Sequence, residues 1–306
     1  MSEKPNNDSA NQTEPLPSNT SVDAGRWKTF ARIIAYTVGL VLVVSFWYSW
    51  SEEGFSGLNK ADFTFLLVAG FLAQLVDGAL GMGYGITGAT ILLSSGINPA
   101  MISAGIHTSE LFSSGLSGYS HYRFGNVDKN LFKKLLWPGI IGSIAGAVLI
   151  ILLGKEYGSM VRPILALYTM FMGITLLVRA FRTIQAKREL KNYGTLAGAG
   201  GFLDAFAGGG WGPVVTSTLI SKGHTPNTTI GTVSLTEFFV TLASSTTFVL
   251  FLGVSHWQVI AGLILGGLIA APLAALIAGR IPRKIAMIAL GILVVIWSAR
   301  ILLPLI

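Results

Sequence analysis

Asp77, Glu110, Asp204 and Glu237 each fall inside a long apolar run. An ionised carboxylate in hydrocarbon costs at least about 2.5 kcal/mol on an insertion scale, so such groups are buried, paired or protonated. They form two pairs, each Asp standing 33 residues before its Glu. One chemistry open to them is proton-linked gating or substrate orientation. The other is structural: capping a short helix or tying two helices together. The structural role weighs as much as the functional one for the aspartates, which sit just before glycine turns. Function is favoured for the glutamates, which lie well inside their runs.

Glycines follow both aspartates. Gly81, Gly83 and Gly85 come after Asp77, and Gly208, Gly209, Gly210 and Gly212 come after Asp204. Glycine permits positive φ and close backbone approach. Such a run can leave N–H groups free at the start of a short helix, where the helix dipole favours an anion. The competing role is tight packing of membrane helices. Gly83-x-Gly85-x-x-Gly88 also matches a dinucleotide fingerprint, but no βαβ unit surrounds it and Val215 replaces the third glycine in the second half.

Asn98-Pro99 and Thr225-Pro226 predict helix starts, a cap residue followed by proline at the first helical position. That register puts His107 and Glu110 on one helix face. Thr108, Ser109, Ser234 and Thr236 add hydroxyls that can bind oxyanion oxygens or bond back to the preceding helix turn. His107 with Glu110 also has the spacing of a metal pair. Its equivalent in the second half is Ser234, and His121, His224 and His256 are scattered, so no metal and no cofactor is assigned. No catalytic pattern such as Ser–His–Asp is evident.

One offset relates these features. Sliding the chain by 127 residues lays Asp77 on Asp204, Gly81, Gly83 and Gly85 on Gly208, Gly210 and Gly212, and Tyr84 on Trp211. It also pairs Gly96 with Gly223, Pro99 with Pro226, Glu110 with Glu237 and Phe112 with Phe239. Matched acids, glycines and a proline at one offset mark an internal duplication, which shared hydropathy alone would not.

The elements that must position these residues are apolar runs of mostly about 20 residues, the length of a membrane-crossing helix. They fall near 28–50, 62–97, 100–123, 131–153, 160–180, 194–221, 227–253, 257–279 and 283–303. The 62–97 and 194–221 runs are interrupted by the glycines and predict hairpins of two short helices that dip in and return. Basic clusters at Arg26–Arg32, Arg123–Lys134, Arg179–Lys191 and Arg280–Lys284 are expected on the cytoplasmic side. These assignments agree if each hairpin returns to its side of entry. That gives seven full spans and two hairpins, with the N-terminus inside and the C-terminus outside. The two halves are then inverted in the membrane, the arrangement of secondary transporters with midplane sites. The organisation expected is a disordered cytoplasmic tail over 1–25 and a first span with outer loop over 26–61. A first repeat over 62–180, a basic linker over 181–193 and a second repeat over 194–306 follow.

Composition agrees. Of 306 residues 52% are hydrophobic and only 11% charged, which excludes most soluble folds and general disorder. The fold class is an all-α integral membrane bundle of two inverted repeats. The net charge of +7 reflects cytoplasmic loops rather than nucleic-acid binding, because the basic residues form no continuous face. There is no cysteine, hence no disulfide, thiol nucleophile or Cys-ligated metal.

The sequence resembles the sulfite exporter TauE/SafE family over about residues 62–303. The resemblance rests on the duplicated Asp-x-x-x-Gly-x-Gly-aromatic-Gly segment, the Gly-x-x-Pro and Glu after it, and Phe124-Gly-Asn-Val-Asp-Lys closing the first half. Met82 stands where the second half has Gly209. The resemblance implies a permease of the bacterial inner membrane for sulfite, sulfonates or related sulfur anions, usually outward. The site expected from the residues is the two glycine loops facing each other at mid-membrane, with an anion between them. The partners are that small anion and membrane lipid. The alternatives are a passive anion channel or a carboxylate permease of the same fold, and a membrane enzyme is disfavoured.

Overall fold

The computed structural model describes residues 60–80, 82–181, 190–253, 257–277 and 283–303. These belong to one compact unit, Gly57–Ile306. The expected tail, the first span, Gly81, most of the basic linker and the loop holding Arg280 lie outside the described residues.

Every regular element among the described residues is helical. Helix α1 spans Lys60–Leu80, α2 Tyr84–Ser94, α3 Pro99–Arg123 and α4 Lys129–Ala180. Then come α5 (Tyr193–Ala207), a π-helical turn (Gly212–Thr216) and α6 (Ser217–Ser221). Helices α7 (Pro226–Leu252), α8 (Trp257–Ile277) and α9 (Arg283–Leu302) complete the set. The duplication is visible element by element. Helix α4 is two helices joined at a kink, where Tyr157 has non-helical φ −123° and ψ 28°. Its two parts match α8 and α9 at the same offset of 127. Helix α1 has 21 residues, so the first hairpin has one long arm rather than two short ones.

The predicted starts hold. Pro99 and Pro226 open α3 and α7, and the Asn98 side chain accepts from Ala100 N at 2.9 Å. Thr225 caps α7 by position without a side-chain bond. The Phe124-to-Lys129 motif is a helix junction. Gly125 takes φ +72°, and Asp128 caps α4 by accepting from Asn130 N and Leu131 N.

The halves are interleaved. Helix α5 packs on α4, and α1 packs on α8, which is the same pairing with the halves exchanged. Glycines set the spacing, since a Cβ at Gly142 would strike the Gly198 backbone and one at Gly266 that of Leu67. Helices α3 and α7, which are repeat equivalents, lie side by side. Ser114 meets Thr241, Gly115 meets Phe238, Gly118 meets Leu235, and His121 meets Gly231. One series rises while the other falls, so the two helices run antiparallel. Helices α4 and α7 are long and apolar enough to cross a membrane. Large apolar side chains such as Trp137, Ile141, Leu152 and Leu250 are exposed on them.

Candidate functional site

The chain doubles back at both glycine breaks. In the first, Val76 approaches Gly83 and Ala73 approaches Gly88. In the second, Asp204 bonds to residues 210 and 211, while Gly200 faces Trp211 and Val215. Gly208 closes α5 in the left-handed conformation, at φ +75°.

The two breaks meet each other directly. A Cβ on Gly85 would lie 2.7 Å from the Gly208 oxygen and 2.7 Å from the Gly209 Cα. One on Gly212 would lie 2.8 Å from the Met82 Cβ. Gly85–Gly209 and Met82–Gly212 are the same contact with the halves exchanged. The facing surfaces of the two breaks are in backbone contact, with no space for an anion at the Gly85–Gly209 approach. Some of their N–H groups are already engaged. Tyr84 N donates to Asp77 Oδ1 at 3.4 Å, and Gly210 N and Trp211 N donate to Asp204 Oδ1 at 2.8 and 2.9 Å. Both aspartates are thus helix caps, the structural role left open by the sequence.

Asp204 does more. Its Oδ2 lies 3.1 Å from His107 Nε2, and both side chains are almost fully buried. His107 Nδ1 lies 2.8 Å from the Ser103 carbonyl oxygen, which can only accept, so Nδ1 carries a hydrogen. A Glu110 oxygen, one helix turn along α3, comes within 4.8 Å of these donor atoms. His107 is therefore placed by α3 of the first half and held against the second break, an association no pattern within either half announces.

A cavity of about 270 Å³ opens between α1, α3 and α7. Asp77, Glu110, Glu237 and Ser234 line it, joined by Gln74, Ser113, Ser114, Ser117, His121 and Ile230. Four predicted residues thus come together, while the glycines do not line this space. Three of the predicted hydroxyls bond within their own helices. Thr108 donates to the Ala104 oxygen, Ser109 to that of Ile106 and Thr236 to that of Thr232. Ser109 also accepts from the Tyr84 hydroxyl at 2.9 Å, pinning α2 to α3. The lining serines were missed by sequence reasoning, although residues 110, 113, 114, 117 and 121 form a polar stripe at helical spacing.

Residues 66–301 match the family model for the sulfite exporter TauE/SafE. The chain belongs to that family. It is 36% identical over 247 residues to the probable membrane transporter protein YtnM of Bacillus subtilis (strain 168), covering 76% of this chain and 80% of that protein. No solved structure matches. The protein is thus an integral membrane transporter of the TauE/SafE family.

Proposed function

We propose that this transporter moves sulfite or a small organosulfonate out of the cell across a bacterial inner membrane, by alternating access. The observation that supports this most is the antiparallel pair of equivalent helices, α3 and α7, flanking the polar cavity. If both helices cross the membrane, a two-fold axis between antiparallel equivalents lies in its plane, which is the inverted-repeat relation of secondary transporters. The same relation agrees with glycine hairpins that re-enter from opposite sides, an N-terminus in the cytoplasm and a C-terminus outside. In this proposal the anion occupies the cavity. Ser117, Ser234 and Gln74 offer hydroxyl and amide donors to its oxygens, whereas the Ser113 hydroxyl donates to the Glu110 carbonyl. The backbone contact of the two breaks is the surface on which the halves rock.

An interior-negative potential already favours anion expulsion, by about 2.3 kcal/mol per charge at 100 mV. Coupling to protons is therefore an addition to the cycle and not a thermodynamic requirement. The test is counterflow of labelled sulfite in proteoliposomes. Wild type exchanges label against unlabelled sulfite, as a carrier does and a passive channel does not. Ser117→Trp, which fills the cavity, abolishes exchange while the protein remains folded. Full exchange in Ser117→Trp would remove the substrate from this cavity.

A further inference from the structure

We propose that His107, Glu110 and Asp204 form a binding site for one divalent transition-metal ion, at the junction of the cavity and the second glycine break. Three observations converge on it. First, the Nδ1 hydrogen is committed to the Ser103 carbonyl, so that Nε2, the nitrogen left for a ligand, faces Asp204. Asp204 Oδ2 lies 3.1 Å from it, a separation that a shared proton or a metal ion can bridge. Second, Glu110 Oε2 is buried and has no hydrogen-bond partner among the described residues. Glu110 as a whole is only 7% exposed. Third, the donor atoms of all three residues lie within 4.8 Å of one another, and all three residues are buried.

A proton on the imidazole would bridge His107 to Asp204 but would leave Glu110 unpaired. One divalent cation meets all three acceptors and balances two carboxylate charges in a region where net charge is strongly unfavourable. The surroundings resemble the outer support of a metal site. The second ring nitrogen of His107 is anchored on a backbone carbonyl, and the second oxygen of Asp204 is held by Gly210 N and Trp211 N. One imidazole with two carboxylates suits ions of intermediate hardness such as Mn²⁺, Fe²⁺ or Zn²⁺ rather than Ca²⁺ or Cu⁺. Because Glu110 also lines the cavity, an ion held by it would lie beside that space. Its positive charge would offset the carboxylates that an oxyanion meets in the cavity. This last step rests on the transporter reading, whereas the site itself does not.

The experiment measures metal in detergent, apart from transport. Untagged full-length protein is stripped with chelator, titrated calorimetrically with Mn²⁺ and Zn²⁺, and its metal content counted after dialysis. We expect one ion per chain, and a higher melting temperature when it binds. His107→Ala and the isosteric Glu110→Gln each weaken binding at least about tenfold. His224→Ala, remote in sequence and hydrogen-bonded to Tyr193, binds as wild type. Wild type that takes up no stoichiometric ion overturns the proposal, as does undiminished affinity in Glu110→Gln. Failure of sulfite counterflow with a metal-replete protein would instead count against the transport reading alone.

Discussion

Asp77 and Asp204 are repeat equivalents, yet they carry unequal loads. Asp204 accepts from two backbone amides and meets His107 through its other oxygen. Among the described residues Asp77 accepts from Tyr84 N alone, at 3.4 Å, and it faces the cavity. The cause lies in a third position. His107 reaches across to Asp204, but its equivalent is Ser234, which cannot reach back to Asp77 with an imidazole. One aspartate is therefore a buried junction between α3 and the second break, and the other faces open space.

That difference predicts unequal stability. Asp204→Ala strands two buried amides and one imidazole nitrogen, and costs about 3 kcal/mol or more. Asp77→Ala removes one long hydrogen bond beside a cavity that water can enter, and costs about 1 kcal/mol or less. Thermal unfolding in one detergent reads the comparison directly. Equal shifts for the two variants would mean that the His107 junction contributes nothing.

The glycines separate in the same way, by what surrounds each. Gly85→Ala drives its Cβ onto the backbone of Gly208 and Gly209, where no side chain can swing away. Gly198→Ala meets only the Pro138 oxygen at 3.6 Å, an ordinary contact inside α5. We expect Gly85→Ala to lower folded yield or melting temperature sharply. Gly198→Ala is neutral or stabilising by up to about 1 kcal/mol, because alanine loses less backbone entropy in a helix. Size-exclusion profiles and melting curves of the two proteins decide it. A well-folded Gly85→Ala at wild-type melting temperature would show that the breaks do not need to touch.

Much of this architecture was legible in the residues. The offset of 127 located both breaks, the proline starts of α3 and α7, and the four acids, because each feature is local in sequence and recurs with its neighbours. The site was less legible. The polar stripe on α3 was visible at helical spacing, but its partner face on α7 is carried by Ser234 and Glu237, and only the antiparallel packing brings the two together. The His107–Asp204 contact joins residues 97 apart that sit on different helices of different halves. Neither periodicity nor the repeat specifies such a pair, because it depends on how helices of opposite halves interlock. The glycines were ambiguous for a related reason. Positive φ, amide exposure and close packing all call for the same residue, and only coordinates tell which applies.

The cavity predicts how anion binding depends on pH. It is lined by Asp77, Glu110 and Glu237, so an anion entering it meets like charge from three sides unless those groups are protonated or matched by a cation. At an effective dielectric of about 20, like charges 4 Å apart repel by roughly 4 kcal/mol. An anion therefore binds better to the protonated cavity, and by linkage its binding draws protons in. The sign follows: affinity rises as pH falls, by up to about tenfold per pH unit for each proton taken up. A small alkyl sulfonate is the right probe, because its own charge stays constant over the range. Its affinity, measured from about pH 5.5 to about pH 8 in metal-free protein, should strengthen toward the acid end. In Asp77→Asn/Glu237→Gln the neutral amides no longer repel the anion. Binding at the alkaline end should then improve and the slope should flatten. An affinity that is constant with pH in wild type, or that strengthens toward alkaline pH, would place the anion away from these carboxylates.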